Sequence, residues 1–492
     1  VLAQEQQGSE SEAPSEKPQA DTPSSATDSS SDEASDEASD EASDEAEEET
    51  LSLGRPAMPG VDMDLLYPTQ GVAGQAQLGT SFSQIGEDYF VTFNLSMVLA
   101  GSNWSIAPRV PLRLRVLDED PQNDEIVRME DWDEVSDFLR LVAFAEYRTD
   151  DDSFYLRYGE FTGASVGHAT MISRYYNTLD IDHHQAGLVG HLDMGIAGGE
   201  ILLDNIFDPE LVVGRPFVRP FSWIDSLPPM FKGLKVGLTI GADFKAPVTL
   251  ESDGEGGFLT DDTRSLVVAT ADPIPLLGFD LELPVLMLDS FQFVPYFDLN
   301  AIDTEGVGIH FGSFLTFRFS SLAELRVRVE YRLAGAGYDP GYVNAHYEKE
   351  RLSYRDGMTK LSWLRESLGK SRTGVLVESE LRLLGLVKLL AVFSHDEGSP
   401  GLPASNDLVA RLLVPDIGPV SVSGYFAKLG FEDAEDILDP SGAVVVGTVR
   451  WAATDYLYVE GRVTNEWWLA PDTATYETSL DFDVGVGFQL DI

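Results

Sequence analysis

The decapeptide ELRVRVEYRL, residues 324–333, places Glu324, Arg326, Arg328, Glu330 and Arg332 at every second position. Between them lie Leu325, Val327, Val329, Tyr331 and Leu333. Five ionised groups on one face of an extended chain can do electrostatic work, because rings of charge select ions and solutes in a pore. Arg113 and Arg115, set among Leu112, Leu114 and Val116, repeat the arrangement. Two readings of these arginines are open. They form a basic ladder that favours anionic groups on a solute, or they pair with Glu324, Glu330 and neighbouring acids and stiffen a wall.

A second concentration of chemistry lies in 175–193, which holds Tyr175, Tyr176, His183, His184 and His191 with Asp180, Asp182 and Asp193. His183 and His191 share strand parity, yet an extended chain sets them roughly 26 Å apart, too far for one ion. Asp182 and His184 are two apart on one face and are weak candidates for a cation shared with a neighbouring strand. A polar strand end or loop is the default for this stretch. The tyrosines Tyr338, Tyr342, Tyr347 and Tyr354 with Trp363 make either a stacking surface for sugars or lipid A, or a packed helix. No catalytic constellation stands out. There is no Gly-x-Ser-x-Gly elbow and no phosphate-binding glycine loop in strand–helix context. Asp–His pairings stay open, but nothing singles one out, so neither an enzyme nor a cofactor is expected.

The elements that must carry these residues are strands. Apolar and polar residues alternate in YFVTFNLSMVL (89–99), in VPLRLRV (110–116), in GVGIHFGSFLTFRF (306–319) and in the closing LDFDVGVGFQLDI (480–492). Period two fits a strand and no helix. Further candidates are 139–149, 153–161, 184–194, 199–206, 233–245, 264–272, 278–288, 291–301, 373–383, 385–394, 406–414, 418–429, 442–453 and 455–466. The pattern predicts 16 to 20 strands, about 18, mostly of about 9 to 13 residues, separated by turn-rich clusters such as SDGEGG at 252–257. Soluble sandwiches use shorter strands. A tilted strand that crosses a bilayer needs about 9–11 residues, an apolar face for lipid and a polar face for the lumen. Closure into a barrel removes the edges that lipid cannot satisfy. Trp104, Trp451, Tyr456, Tyr458, Trp467 and Trp468 fall near predicted strand ends, where barrels carry aromatic girdles. Two stretches break the alternation. Residues 124–139 read as an amphipathic helix, and a helix is expected from Asp339-Pro340 to about Tyr354, with another near Leu361–Leu368. In a barrel these belong to long loops that fold into the lumen or lie over its mouth.

Composition bounds the rest. The chain has 492 residues, no cysteine and a net charge of −50. Residues 1–50 contain four Ser-Asp-Glu-Ala copies at 31–46 and carry 17 acidic groups against Lys17 alone, which leaves −34 for the remainder. Such a surface repels phosphate backbones and argues against nucleic-acid binding. The tail, 1–50, cannot bury enough apolar surface to fold and reads as a solvated spacer, followed by a linker at 51–73. Val1-Leu2-Ala3 fits the last positions of a signal peptide, so export is expected.

Residues 74–492 resemble a bacterial outer-membrane β-barrel of the porin-like kind. The resemblance rests on the exported start, the lack of cysteine, the many amphipathic strands and the amphipathic final strand Leu480–Ile492. It implies an all-β, transmembrane, antiparallel up-and-down barrel. It also implies that the last strand addresses the barrel assembly machinery and that the N-terminal tail is periplasmic. Chains of this kind usually end on an aromatic residue; this one ends on Ile492, with Phe488 four residues earlier. The expected function is passive diffusion of small solutes through a charged lumen, with Arg113, Arg115, Glu324, Arg326, Arg328, Glu330 and Arg332 lining the pore. A non-conducting anchor barrel that binds an envelope partner, and a barrel enzyme, are the alternatives. A homo-oligomer is compatible with either.

Overall fold

The computed structural model describes residues 74–491, except 86–87, 118–124, 133–134, 150–152, 179–183, 255–256, 261–264, 321, 356, 385–386, 439–441 and 471–474. Residues 1–50 and the linker expected at 51–73, and with them Asp180, Asp182, His183 and Ile492, lie outside the described residues.

Neighbouring strands pair antiparallel and the sheet closes on itself into a 20-strand barrel. The seam joins the first strand, Gly74–Ile85, to the last, Thr475–Asp491, with Gln75 opposite Asp491 and Gln84 opposite Phe482. Closure leaves no sheet edge at the seam, as a bilayer demands. The alternation read from the sequence is expressed faithfully here. Leu480, Val484, Val486, Phe488 and Leu490 are exposed on the outside, while Asp483 turns inward and accepts from Ser81 Oγ at 2.7 Å. Ala323–Ala334 does the same, with Val329, Tyr331 and Leu333 exposed and Arg328, Glu330 and Arg332 buried in the lumen. The exterior is an apolar belt of such residues and the interior is polar, which is the transmembrane pattern. No described helix is long and apolar enough to cross a membrane.

The two ends of the barrel differ. Turns such as 101–103, 194–196 and 418–419 are short at the end where Gly74 and Asp491 emerge. At the opposite end the connections 118–141, 160–186 and 335–371 are long. Trp104, Trp451 and Tyr456 are exposed beside the short turns and form one girdle. Tyr458 and Trp467 are buried instead, facing inward.

Several elements differ from the sequence-based expectation. Leu211–Val218 is a strand that the periodicity does not reveal. Leu211, Val213 and Phe217 are buried inside with Arg215, while Val212 and Val218 face out, so apolar residues occupy both faces and the alternation is masked. The candidates 264–272 and 278–288 are one long strand, Val268–Glu282, with a short continuation at Leu286–Met287. The helix expected from Asp339 shrinks to one turn, Tyr347–Glu350. The second begins at Lys360 and runs to Glu366, capped by Thr359 accepting from the Ser362 amide. Around 124–139 there is one 3-10 turn, Met129–Asp131, and one short helix, Val135–Leu139.

Candidate functional site

Two of the long connections fold inward and fill half of the lumen. Residues 161–177 and 335–371 meet in the centre through a parallel bridge between Ile172 and Val343. Backbone bonds from Gly341 N to Thr170 O (2.9 Å), Val343 N to Met171 O (3.0 Å) and Ser173 N to Val343 O (2.8 Å) join them. Apolar side chains that face the lumen from the wall pack on this plug. Val189, Leu202, Leu211, Val213, Ile274 and Leu276 meet Phe161, Met171, Ile172, Val343 and Leu361 in one buried cluster. So half of the lumen holds an apolar core of the kind a soluble protein has, whereas an alternating strand predicts a polar lumen throughout. Small residues on the wall make room for the aromatic groups: a Cβ on Gly308 would collide with the Tyr338 ring and one on Gly312 with the Tyr296 ring.

Buried ion pairs fasten the plug to the wall. Arg351 bonds to Glu210 and lies 3.3 Å from Asp243, and Tyr347 Oη donates to Asp243 at 2.7 Å. Tyr175 Oη donates to Glu348 at 2.6 Å, which joins the two connections to each other. Arg174 pairs with Glu378 at 2.5 Å, and Arg365 adds an exposed pair with Asp272 at 2.6 Å. Lys360 pairs with Glu350 within the plug. His168 sits between two wall carboxylates, Nδ1 at 2.6 Å from Asp298 and Nε2 at 3.2 Å from Glu282. Burial alone would lower its pKa, but Asp298 and Glu282 together raise it to about 9. His168 is therefore protonated and donates from both nitrogens. His346 is the opposite case: burial pushes it down to about 4, against the pull of Glu350.

His168, Asp280 and Asp298 bring ligand atoms within 4.8 Å of one another. Their partners are already cations. Arg215 donates to both oxygens of Asp280, at 2.9 and 2.5 Å, and Lys235 pairs with Glu282 at 3.0 Å. With Arg215 and Lys235 on these carboxylates the cluster is knit together as a salt-bridge network. His184, the described member of the weak metal pair, lies 3.2 Å from Glu160.

The charged residues singled out in the sequence divide into three groups. Arg328, Glu330 and Arg332 lie beneath the plug. Arg328 bonds to Glu330 at 2.6 Å and to Tyr296 at 2.8 Å, and Arg332 bonds to Asp396. Glu330 also meets His310 at 2.9 Å. Glu324 and Arg326 sit toward the short-turn end, paired at 2.6 Å and partly exposed. Arg113 and Arg115 are on the far side of the barrel. Arg115 meets Asp88 at 3.0 Å. Arg113 shares Asp131 with Arg128 and Arg140, at 2.6, 2.9 and 3.0 Å. The tyrosines of the inward connection are packed, not displayed: Tyr342 meets Tyr347 edge-on at 5.5 Å and Tyr354 meets Trp363 at 5.1 Å.

The other half of the lumen contains a cavity of ≈ 430 Å³. Its wall comes from the first three strands and the last ones. Arg109, Arg113 and Arg140 line one side with Glu160 and His184, and Arg462, Asp483 and Trp467 line the other. Arg462 Nε and Trp467 Nε1 are buried there without a hydrogen-bond partner. Sequence reasoning misses Arg109, Arg140 and Arg462. Arg109 stands in the same alternation as Arg113 and Arg115 and is legible from it; Arg140 comes from a loop and is not.

A closed barrel with a lipid-facing exterior and a charged interior decides the architecture. The chain folds as a closed antiparallel β-barrel of 20 strands. It is similar to Wzi, an outer membrane protein involved in group 1 capsule assembly in Escherichia coli, at 10% identity over 87% of this chain and 86% of that one, with a TM-score of 0.33. It is similar to Pseudomonas aeruginosa OccK2 (OpdF), solved in complex with glucuronate, at 10% identity over 85% of this chain and 97% of that one, TM-score 0.33. The ferric enterobactin receptor PfeA is similar at 10% identity over 85% and 82%, TM-score 0.34. The chain matches no family model and no curated protein.

Proposed function

We propose that this barrel is a passive channel of the outer membrane for small polar solutes. The half-filled lumen carries the reading. The plug is bonded to the wall from Glu210 round to Gly430, and the cavity beside it keeps a charged lining of Arg109, Arg113, Arg140 and Arg462 with Glu160, Glu460, Asp481 and Asp483. Solutes pass on the cavity side, with the plug as the constriction. Mixed charge there favours polar solutes over apolar ones. Arg326 and Glu324, partly exposed near the short turns, add charge at that mouth. The short-turn end faces the periplasm, so the acidic N-terminal tail extends there, and the last strand presents the assembly signal.

The test is conductance of the purified full-length protein in a planar bilayer. Discrete steps are expected, with an anion–cation preference that shifts on Arg462→Glu. A folded barrel that gives no steps at any voltage removes the transport reading and favours an anchor.

A further inference from the structure

Among the described residues, the charged lining of the cavity is balanced: Arg109, Arg113, Arg140 and Arg462 stand against Glu160, Glu460, Asp481 and Asp483. A lining without net charge has no bulk preference for anions or cations. What it can select is the arrangement of charge within one solute, and that depends on which of these groups are already engaged. Most are. Arg109 pairs with Glu160, which also holds His184. Arg113 and Arg140 share the buried Asp131. Glu460 is taken by Arg450 at 2.7 Å, and Asp481 accepts from Ser479 Oγ at 3.2 Å.

Arg462 and Asp483 are left. They belong to neighbouring strands, Leu457–Ala470 and Thr475–Asp491, and stand directly opposite each other. Opposite charges so placed attract and ordinarily close into a pair. Here they do not. Among the described residues Arg462 makes no hydrogen bond and has no carboxylate oxygen within 4.0 Å. Its Nε is shut against the wall, so the guanidinium meets the cavity through Nη1 and Nη2. Asp483 gives Oδ2 to Ser81 Oγ at 2.7 Å, and a carboxylate has acceptor capacity for more than one donor. Both side chains are half-buried. Each has therefore lost part of its hydration without gaining an opposite charge, and a solute that carries both signs satisfies both. One step toward the long-loop end the lining changes character. Thr464, Val446 and Tyr425 stand side by side on three adjacent strands. Tyr425 meets Tyr176 of the plug at 5.7 Å, and Val444 and Val446 pack on the same cluster. This is an apolar patch beside the two open charges.

We infer that the cavity binds a free α-amino acid with an apolar side chain, Arg462 taking its carboxylate and Asp483 its ammonium group. The inference deepens the channel reading, on which it rests for the solute's way in. Spacing decides the class. Cross-strand partners have Cα atoms about 4.5–5.5 Å apart, so the two side chains converge on one place. They suit two charges borne on neighbouring atoms, and not two charges held at opposite ends of an extended molecule. The planar fork of a guanidinium matches a carboxylate. The side chain of the solute then lies on Tyr425, Tyr176 and Val446. A third charge on the solute would find the other lining groups engaged, which disfavours acidic and basic amino acids. A cavity of ≈ 430 Å³ holds a molecule of this size.

Saturation-transfer NMR on the full-length protein in detergent tests this, because it reads weak binding and needs no conductance. Leucine is the probe, with three competitors. Leucine amide lacks the anion, N-acetylleucine lacks the cation, and 6-aminohexanoate is an isomer of leucine with its charges at opposite ends. Leucine is expected to bind saturably, and each competitor to bind at least about tenfold more weakly. Arg462→Gln and Asp483→Asn are each expected to weaken leucine about tenfold. Exchanging the two, Arg462→Asp with Asp483→Arg, is expected to restore binding to within about threefold, which general damage to the cavity would not do. The gel mobility of the folded protein checks each variant. Should the exchange fail to fold, Arg462→Lys takes its place, with leucine binding retained to within about threefold. No saturable binding, equal binding of 6-aminohexanoate or of either singly charged relative, or a folded exchange variant that stays weak overturns the site. Erythritol flux into vesicles carrying the protein separates this from the channel. Flux without leucine binding keeps the channel and overturns the amino-acid site. Leucine binding without flux keeps the site and removes the channel.

Discussion

Arg326 and Arg328 are two positions apart on the same strand face, yet their removal should have very different costs. Arg328→Gln takes a guanidinium whose side chain is only 3% exposed out of a network with Glu330, Tyr296 and Glu378. Removing one member of a buried ion pair costs about 3–5 kcal/mol, because the remaining charge stays desolvated. Glu330 keeps His310 and Glu378 keeps Arg174, so the lower figure, about 3 kcal/mol, applies. Arg326→Gln removes a side chain 32% exposed that pairs with Glu324, itself also held by Arg318. A pair of this kind is worth about 0.5 kcal/mol. The difference of about 2.5 kcal/mol is nearly two orders of magnitude in the folding equilibrium. Urea titration in phospholipid vesicles measures it, with tryptophan fluorescence and the gel mobility of folded against unfolded protein as coincident probes. The expected result is a lower midpoint for Arg328→Gln at unchanged slope. Equal losses, or a larger loss for Arg326→Gln, would refute the claim that the plug desolvates this part of the wall.

Tyr347→Phe removes the hydroxyl that donates to buried Asp243 and should cost about 1.5–3 kcal/mol in the same titration. Gly308→Ala should loosen the plug by displacing the Tyr338 ring, seen as faster protease cleavage within 335–371 while the barrel stays folded. The pKa of His168 is raised, so its stabilising contribution is complete below about 6.5, declines as pH rises, and is gone above about 9. Hydrogen exchange of 161–177 should accelerate over that window, and His168→Gln should abolish the pH dependence. Arg462→Glu should move ion selectivity toward cations with little change in the unfolding midpoint; unchanged selectivity would place the conducting path elsewhere.

The legibility of this fold follows from what each strand faces. Where one side meets lipid and the other meets water or ion pairs, as in Ala323–Ala334 and Thr475–Asp491, the period-two signal is plain. Where a strand faces the plug, the signal fades. Leu211–Val218 has apolar residues on both faces, with Arg215 the one charge among those inside, and carries Gly214 and Pro216, so the alternation is masked. The plug itself is illegible for a related reason. Its bonds join residues far apart in the chain, such as Tyr175 to Glu348 and Arg351 to Glu210, and no local pattern encodes them. The short helix Lys360–Glu366 was readable because Thr359 caps it locally. The turn at Tyr347–Glu350 is held instead by Asp243 and Glu210 on the wall. As for the site, alternation picks out Arg113 and Arg115, but only the fold brings Arg462 opposite them.

The plug also has a bearing on the order of assembly. Its contacts through His168, Arg174, Tyr175, Tyr347, Arg351 and Arg365 join residues between 161 and 378. The seam must bring 75–84 to 482–491, the longest loop the chain closes. Loop closure grows costlier with length and non-local pairings form late. These contacts can therefore form while the C-terminal strands are still outside the sheet, whereas those of Arg355 with Ser405 and Gly430 and of Lys349 with the Trp467 ring must follow. In this order the final strand closes a barrel whose interior is already partly filled.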